Sequence, residues 1–285
     1  MQNGIKTNSV KIKYTLKQSG YCEASEHHVL RGKKKKQIKF YATWGYIEHP
    51  EHGHILFDTG YTHRFFEETK KFPYSLYANA TPAYLKPEEE AVSQLMVKGI
   101  APEEVSYIII SHFHADHICG LLDFPNAKFI CSEVAYNEVR GKKGIPAVRR
   151  AFVPALLPSD FEERVQFVDF SSASKSTEYL GKSIDLFQDG SVRLFSCPGH
   201  AAGQIGALLC THSGDVLLVV DAAWVRQNYA AMHLPMQIVR IFFHSWKDFK
   251  QSLKNIHLFH KAHPETPIIP CHCKETMDLY LDKTF

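Results

Sequence analysis

The segment His112-Phe113-His114-Ala115-Asp116-His117 places three imidazoles and one carboxylate within six residues. Imidazole and carboxylate together suit zinc, iron or manganese better than calcium or magnesium, which prefer all-oxygen shells. Chance is a poor rival explanation, even in a chain with 17 His among 285 residues. Other metal-capable side chains stand just beyond strand-like runs. His200 follows Cys197-Pro198-Gly199, Asp221 follows Leu218-Val219-Val220, and His272 follows Ile269-Pro270-Cys271. Asp58-Thr59-Gly60 follows Ile55-Leu56-Phe57 in the same way. Strand ends on one sheet edge converge, and the loops after them carry side chains into a common space. Any one of these residues could be a satisfied polar cap, but four ligand-bearing strand ends together weaken that reading. His112, His114 and His200 would make one site, and Asp116, His117 and His272 a second, with Asp221 shared between them. Such a set leaves each ion room for water, and a pair of ions can stabilise both the attacking and the leaving oxygen of a hydrolysis.

The elements that must position these residues are short. Apolar runs at 40–47, 54–57, 105–110, 128–131, 191–196, 205–210, 216–220 and 267–269 predict buried strands. Pro50-Glu51-His52-Gly53 and His212-Ser213-Gly214-Asp215 predict hairpin turns between neighbouring strands. Pro87-Glu88-Glu89-Glu90 predicts a helix start, with Ala91, Val92, Leu95 and Met96 as its apolar stripe and Gly99 as its stop. Ser245-Trp246-Lys247-Asp248 has the form of a capping box ahead of Phe249, Leu253 and Ile256 at helical spacing. Two stretches resemble insertions: 61–86, rich in aromatics and proline, and 141–180, which ends in a Ser-rich run at 171–176. With the apolar stretch 234–243 they are candidate pocket walls, since insertions on a rigid scaffold tend to carry specificity. Extra core or a dimer contact is the competing use, which leaves room for a homodimer.

Bulk properties narrow the class. A formal charge of +3, with 45% hydrophobic and 22% charged residues, describes an ordinary globular protein and argues against nucleic acid as a partner. Lys33-Lys34-Lys35-Lys36 reads as a solvated loop. Seven scattered cysteines do not suggest a disulfide framework. Residues 1–14 lack a leader-like apolar core, and no stretch approaches membrane-span length, so a cytoplasmic location and no membrane partner are expected. No repeat or linker divides the chain, so residues 1–285 are read as one domain.

In this order, Asp58-Thr59-Gly60, the H-x-H-x-D-H block, Pro198-Gly199-His200, Asp221 and His272 resemble the metallo-β-lactamase superfamily of hydrolases. The resemblance runs from about residue 54 to 272 and is highly specific. It implies an α/β fold, a four-layer αββα sandwich with two metals at one sheet edge, and Asp58 near the metals rather than on them. A Glu at position 114 would resemble di-iron oxygen reductases; His114 favours zinc, although iron, manganese and cobalt remain chemically open. A Cys at position 221 would resemble the true β-lactamases, and Asp221 speaks against them. The segment 218–224 with the aromatic stretch after Gly60 is similar to the N-acyl-homoserine lactonases. Those enzymes carry a substrate-contacting Tyr where this chain has Trp224, whose indole donates one hydrogen bond but cannot accept one. Cys271 departs from the Gly common before the last His. Side chains at 271 and 273 are expected to point away from 272, which leaves His272 alone as ligand. No metal role is assigned to His27, His28, His52, His54, His63, His212, His233, His244, His257, His260 or His263.

The expectation is therefore a dinuclear zinc hydrolase of a small lactone or ester, with Asp116 passing a proton to the leaving oxygen and Trp224 donating to the oxyanion. Rivals on the same scaffold are a thioesterase of the glyoxalase II type, an aryl or organophosphate esterase and a phosphodiesterase. From other classes come a di-iron redox protein and a non-catalytic metal-dependent sensor.

Overall fold

The computed structural model describes residues 9–173 and 175–285. Residues 1–8, part of the N-terminal stretch expected to lack a leader, and Ser174 of the Ser-rich run lie outside the described residues.

Alternation along the strands builds the layers. In β1 (Lys13–Ser25), β2 (Gln37–His49), β3 (Gly53–Phe57), β4 (Ala83–Tyr84), β5 (Val105–Ile109), β6 (Lys128–Ser132) and β7 (Val165–Val168), hydrogen bonding gives a sheet of order β4-β1-β2-β3-β5-β6-β7. A second sheet has the order β13-β12-β11-β10-β9-β8, from β8 (Lys175–Thr177), β9 (Gly181–Asp185), β10 (Val192–Ser196), β11 (Ile205–Thr211), β12 (Gly214–Val220) and β13 (Ile268–Pro270). Successive side chains point to opposite faces. Ile55 and Phe57 therefore meet Val216, Leu218 and Ile269 in a core between the sheets. Leu56, Ile108 and Phe129 face the other way, against Phe65, Leu95 and Tyr136 of the helices. Leu217 and Val219 likewise face outward onto Phe249, Leu253 and Ile256. Three cores separate four layers, the αββα sandwich. Each fully buried Leu, Ile or Phe side chain contributes about 1.5–3 kcal/mol, so layers apolar on both faces must be covered on both.

Both predicted hairpins form, with His49 opposite Gly53 and Thr211 opposite Gly214. Ser245 caps the helix Trp246–Ala262, its side chain accepting from the Asp248 amide. The helix expected from Pro87 is broken. A 3-10 turn Pro87–Glu89 precedes the helix Ala91–Val97, with Glu90 extended between them. The buried Glu90 carboxylate accepts instead from the His63 amide at 2.9 Å. Met96 of the expected stripe faces solvent.

Five strands were not expected: β1, β4, β7, β8 and β9. β4, β7 and β8 are short strands at sheet edges. β1 is thirteen residues long, but its buried positions include Thr15, Lys17 and Ser19, so it carries no apolar run. Lys17 is held by Asp282, and Thr15 Oγ1 lies 3.0 Å from Thr284 Oγ1. The stretch 61–86 is partly core, through Tyr61, Phe65 and Tyr77. The stretch 141–180 contributes both β7 and β8. Among the described residues, no helix is long and apolar enough to cross a membrane.

Candidate metal centre

Parallel pairing of β3 with β5, and of β12 with β13, brings four strand ends to one edge. Beyond β3, Asp58 adopts φ 58° and turns its carboxylate back under the 112–117 block. Its Oδ1 accepts from the Ser111 amide at 2.8 Å and its Oδ2 from Ser111 Oγ at 2.7 Å. Oδ2 also accepts from His117 Nδ1 at 2.8 Å. Asp58 thus sits beneath the donors, as the resemblance implied, and does not close a turn on its own backbone. Thr59 holds the short helix Ala115–Ile118 through its amide and hydroxyl, both donating to the His117 carbonyl at 2.9 and 3.0 Å.

His200 depends on a close approach of two backbones. Gly199 has φ 131°, and a Cβ there would stand 2.0 Å from the Phe249 amide nitrogen. Only glycine fits that contact with the N-terminal turn of the helix Trp246–Ala262. The Ser245 and His244 amides donate to the carbonyls of Gly199 and His200 at 2.9 and 3.0 Å, which fixes the loop. At the end of β12, Val220 takes φ 50°, strained for a β-branched residue, and Asp221 follows it into the site.

The structure brings all seven predicted donors together. One group of ligand atoms, from His112, His114, His200 and Asp221, lies within 4.8 Å of one another. A second, from His117, Asp221, Cys271 and His272, does the same. Asp116 Oδ2 joins the second at 3.5 Å from His117 Nε2 and 4.0 Å from His272 Nε2. Asp221 belongs to both groups, and its two oxygens divide. Oδ2 lies 2.8 Å from His200 Nε2 and 3.6 Å from His112 Nε2, while Oδ1 lies 2.8 Å from His272 Nε2.

Second contacts set the ring tautomers. Ser111 Oγ spends its proton on Asp58, so it accepts from His112 Nδ1 at 3.0 Å. His117 Nδ1 donates to Asp58, and His272 Nδ1 donates to the Tyr41 carbonyl at 2.5 Å. Each of these rings therefore turns its Nε2 toward the cluster, the orientation that metal-binding histidines need. His112 Nε2 and His117 Nε2 are buried and have no hydrogen-bond partner among the described residues. An orphaned buried polar atom costs about 1–3 kcal/mol, and a cation would remove that cost. Two ligands on one tetrahedral ion stand about 3.4 Å apart, close to the separations just given. The residues present fit divalent metal ions.

The electrostatics agree. Burial, followed by neighbouring imidazoles, holds His112 and His114 well below the usual histidine range, so both are neutral. Burial opposes a charge on His117, but Asp116, Asp58 and Asp221 outweigh it and raise the ring to about 10. Burial also opposes the Asp221 carboxylate, yet His272 and His200 hold it well below the usual range. The second group is thus a nest for positive charge, which a proton and a metal ion would contest.

Trp224 is buried, and its Nε1 has no partner among the described residues. Its ring centroid is 5.8 Å from that of His200, edge-on, and 5.2 Å from Phe243. Phe40, which nothing in the sequence singled out, stacks on His272 at 3.8 Å between centroids. A cleft opens against His114 and His200, walled by Phe113, Val139, Ile241, Phe242 and Phe243, with Arg149 and Arg150 alongside. The stretches 141–180 and 234–243 contribute to this wall, and no residue of 61–86 lines it. The expectation that Cys271 and Cys273 both point away from His272 needs correction. Cys273 Sγ accepts from the Arg226 amide at 3.4 Å, but Cys271 Sγ donates to Asp221 Oδ1.

Known proteins are similar to this chain in sequence and fold. The N-acyl homoserine lactonase AttM of Azorhizobium caulinodans is 28% identical over 199 residues, covering 66% of this chain and 67% of that protein. The N-acyl homoserine lactonase of Bacillus cereus is 26% identical over 187 residues, covering 65% and 66%. The chain thus spans about two thirds of the length of these curated relatives. A solved N-acyl homoserine lactone hydrolase with N-hexanoyl-L-homoserine at its catalytic metal centre superposes with a TM-score of 0.68 at 20% identity, over 95% of this chain and 96% of that one. The dizinc quorum-quenching lactonase AidC superposes with a TM-score of 0.64 at 15% identity, over 94% and 89%. At such identities the superpositions speak for the fold. The model of the Metallo-beta-lactamase superfamily matches residues 39–254, through β2 to the helix after His200, and by that match the chain belongs to the metallo-β-lactamase superfamily.

Proposed function

We propose that this chain is a dinuclear zinc hydrolase that opens the ring of an N-acyl-homoserine lactone. The observation that carries the reading is the Asp221 carboxylate, divided between two groups of inward-facing imidazoles. His112, His114 and His200 would hold one ion, Asp116, His117 and His272 the other, and Asp221 would be shared between them. Bound there, the ions supply Lewis acidity toward a carbonyl and a water acidic enough to act as nucleophile at neutral pH. The relatives named as N-acyl homoserine lactonases support the choice of substrate.

The protein's own groups then have distinct tasks. Ring opening adds hydroxide to the carbonyl carbon, breaks the single bond from that carbon to the ring oxygen and leaves an alkoxide that needs a proton. Asp58 and Asp221 are sealed in, their side chains 3% exposed, whereas that of Asp116 is 13% exposed and can reach the substrate side. Asp116 would take up the proton lost by the attacking water and pass it to that alkoxide. Trp224 Nε1–H, with no partner among the described residues, donates to the substrate's carbonyl oxygen as charge develops on it. Phe40, Trp224 and Phe243 exclude water around His272 and His200. Ile241 and Phe242 are exposed at the cleft wall, and an acyl chain would cover them. All seven cysteines are free thiols, in keeping with a cytoplasmic enzyme.

Hydrolysis of lactones of graded acyl length, with zinc quantified in the same preparation, tests the reading. Two ions per chain and turnover that rises with chain length support it. Turnover confined to a thioester or an aryl phosphate would assign the site to another hydrolase.

A further inference from the structure

We infer that Cys271 is a positioning residue: its thiol fixes the Oδ1 oxygen of Asp221 beside His272 and so sets the geometry of the second metal position. The inference rests on the dinuclear reading above and adds a residue to it.

Strand register places the thiol. β12 and β13 run parallel, with Val220 opposite Pro270. Asp221 and Cys271 are the next residue on each strand, so they leave the sheet side by side. The Cys271 backbone is pinned from the other sheet, where Thr43 Oγ1 donates to its carbonyl at 2.9 Å. Buried at 4% exposure, its Sγ meets Asp221 Oδ1. An Asp221 carboxylate already paired with His200 and His272 has no proton to give, so the S–H is the donor.

The geometry also shows which side the thiol acts from. Cys271 lines an internal pocket between the sheets with Tyr14, Thr43, Phe57 and Asp58. The cleft against His114 and His200 lies elsewhere and does not include it. Asp221 is therefore held from below by Cys271, while its oxygens face His200 and His272. A carboxylate shared between two ions must keep each oxygen in one place, and a neutral donor on Oδ1 does this without adding charge. Glycine at this position would supply no such donor.

The test compares the full-length zinc protein with C271A and C271S, using competition titration with a chromophoric chelator and absorption spectra of the Co(II)-substituted proteins. C271A should bind the weaker of two ions about 10- to 100-fold less tightly, the range for losing a contact that orients a ligand, with the tighter ion unchanged. C271S, which restores a donor, should recover most of that loss and the wild-type cobalt d–d spectrum. Equal affinity for both ions in wild type and a folded C271A would overturn the inference. So would an intense sulfur-to-cobalt charge-transfer band in the wild type, which would make Cys271 a ligand. Should C271A fail to fold, C271S against wild type carries the test: loss of the second ion in C271S overturns the hydroxyl-for-thiol equivalence and with it the inference. A wild type that binds fewer than two ions would instead refute the dinuclear reading.

Discussion

Among the described residues two clusters of histidine and aspartate stand apart, one around Asp221 and one at His49, and they are built to opposite ends. His49, His52 and Asp189 bring ligand atoms within 4.8 Å of one another, as closely as the groups around Asp221. Yet both ring nitrogens of His49 are already used. Nδ1 accepts from the Glu51 and His52 amides at 3.1 and 3.2 Å, and Nε2 faces Asp189 at 2.9 Å and Ser191 at 3.0 Å. The ring of His52 stacks on Phe187 at 4.1 Å. That cluster ties the β2–β3 hairpin to the turn before β10. Around Asp221, by contrast, His112, His117 and His272 have their outer nitrogens satisfied and turn their inner ones toward the cluster. Donor density alone does not make a metal centre; unspent lone pairs aimed at a common point do.

The largest expected effect tests that contrast directly. His114→Ala should remove bound metal and lower turnover by at least about a thousandfold, because the loss of one imidazole opens a site that has few ligands to spare. His49→Ala should leave metal content and kcat unchanged and cost about 1–3 kcal/mol of stability, from the buried partners it strands. Metal analysis beside a thermal melt reads both; loss of metal in His49→Ala would erase the distinction between the clusters. Next comes Asp221→Asn, which keeps the shape but removes the charge held in common. Metal content should fall toward one ion per chain and kcat by about 100-fold. Two tightly held ions in that variant would show that the carboxylate is not shared.

How much of this was legible in the sequence follows from where the signal is local. The 112–117 block, the three later donors and the strands that deliver them are compact patterns, and the buried strands around them are short apolar runs. β1 escaped notice because its burial is achieved with Thr, Lys and Ser whose partners, Asp282 and Thr284, lie at the far end of the chain. In the sequence Phe40 is one apolar strand residue among many, and nothing local marks its stacking on His272. Cys271 was judged by alternation along its own strand, whereas its contact is decided by the register of β13 against β12. Residues that face one another across elements remain invisible until the elements are paired.

A smaller effect sharpens the reading of the cleft. Trp224→Phe keeps the aromatic wall against His200 and Phe243 but deletes the unpartnered N–H. One neutral hydrogen bond is worth about 0.5–1.5 kcal/mol, so kcat should fall about three- to tenfold with KM nearly unchanged. Trp224→Tyr, which returns a hydroxyl, should recover part of the loss. A rise in KM alone in Trp224→Phe would make the indole a wall and not a donor.

The smallest effect concerns the other cluster and appears only as pH changes. Burial lowers the His49 imidazole below its ordinary value of 6.5, with Asp189 opposing the shift in part. Protonation at Nδ1 would also break both backbone contacts at once. The unfolded chain therefore takes up the proton more readily than the folded one, and stability rises with pH across that interval. The contribution of His49 is complete above 6.5 and declines as pH falls from there toward the lower, folded value. His49→Gln has no such titration, while every other histidine is common to both proteins and cancels in the comparison. The gap in melting temperature between wild type and His49→Gln should be widest near about pH 8 and narrow by about pH 5. A gap that stayed constant or widened toward acid would mean that His49 is held as a cation by Asp189, and the corner would then be an ion pair rather than a neutral hydrogen-bonded tie.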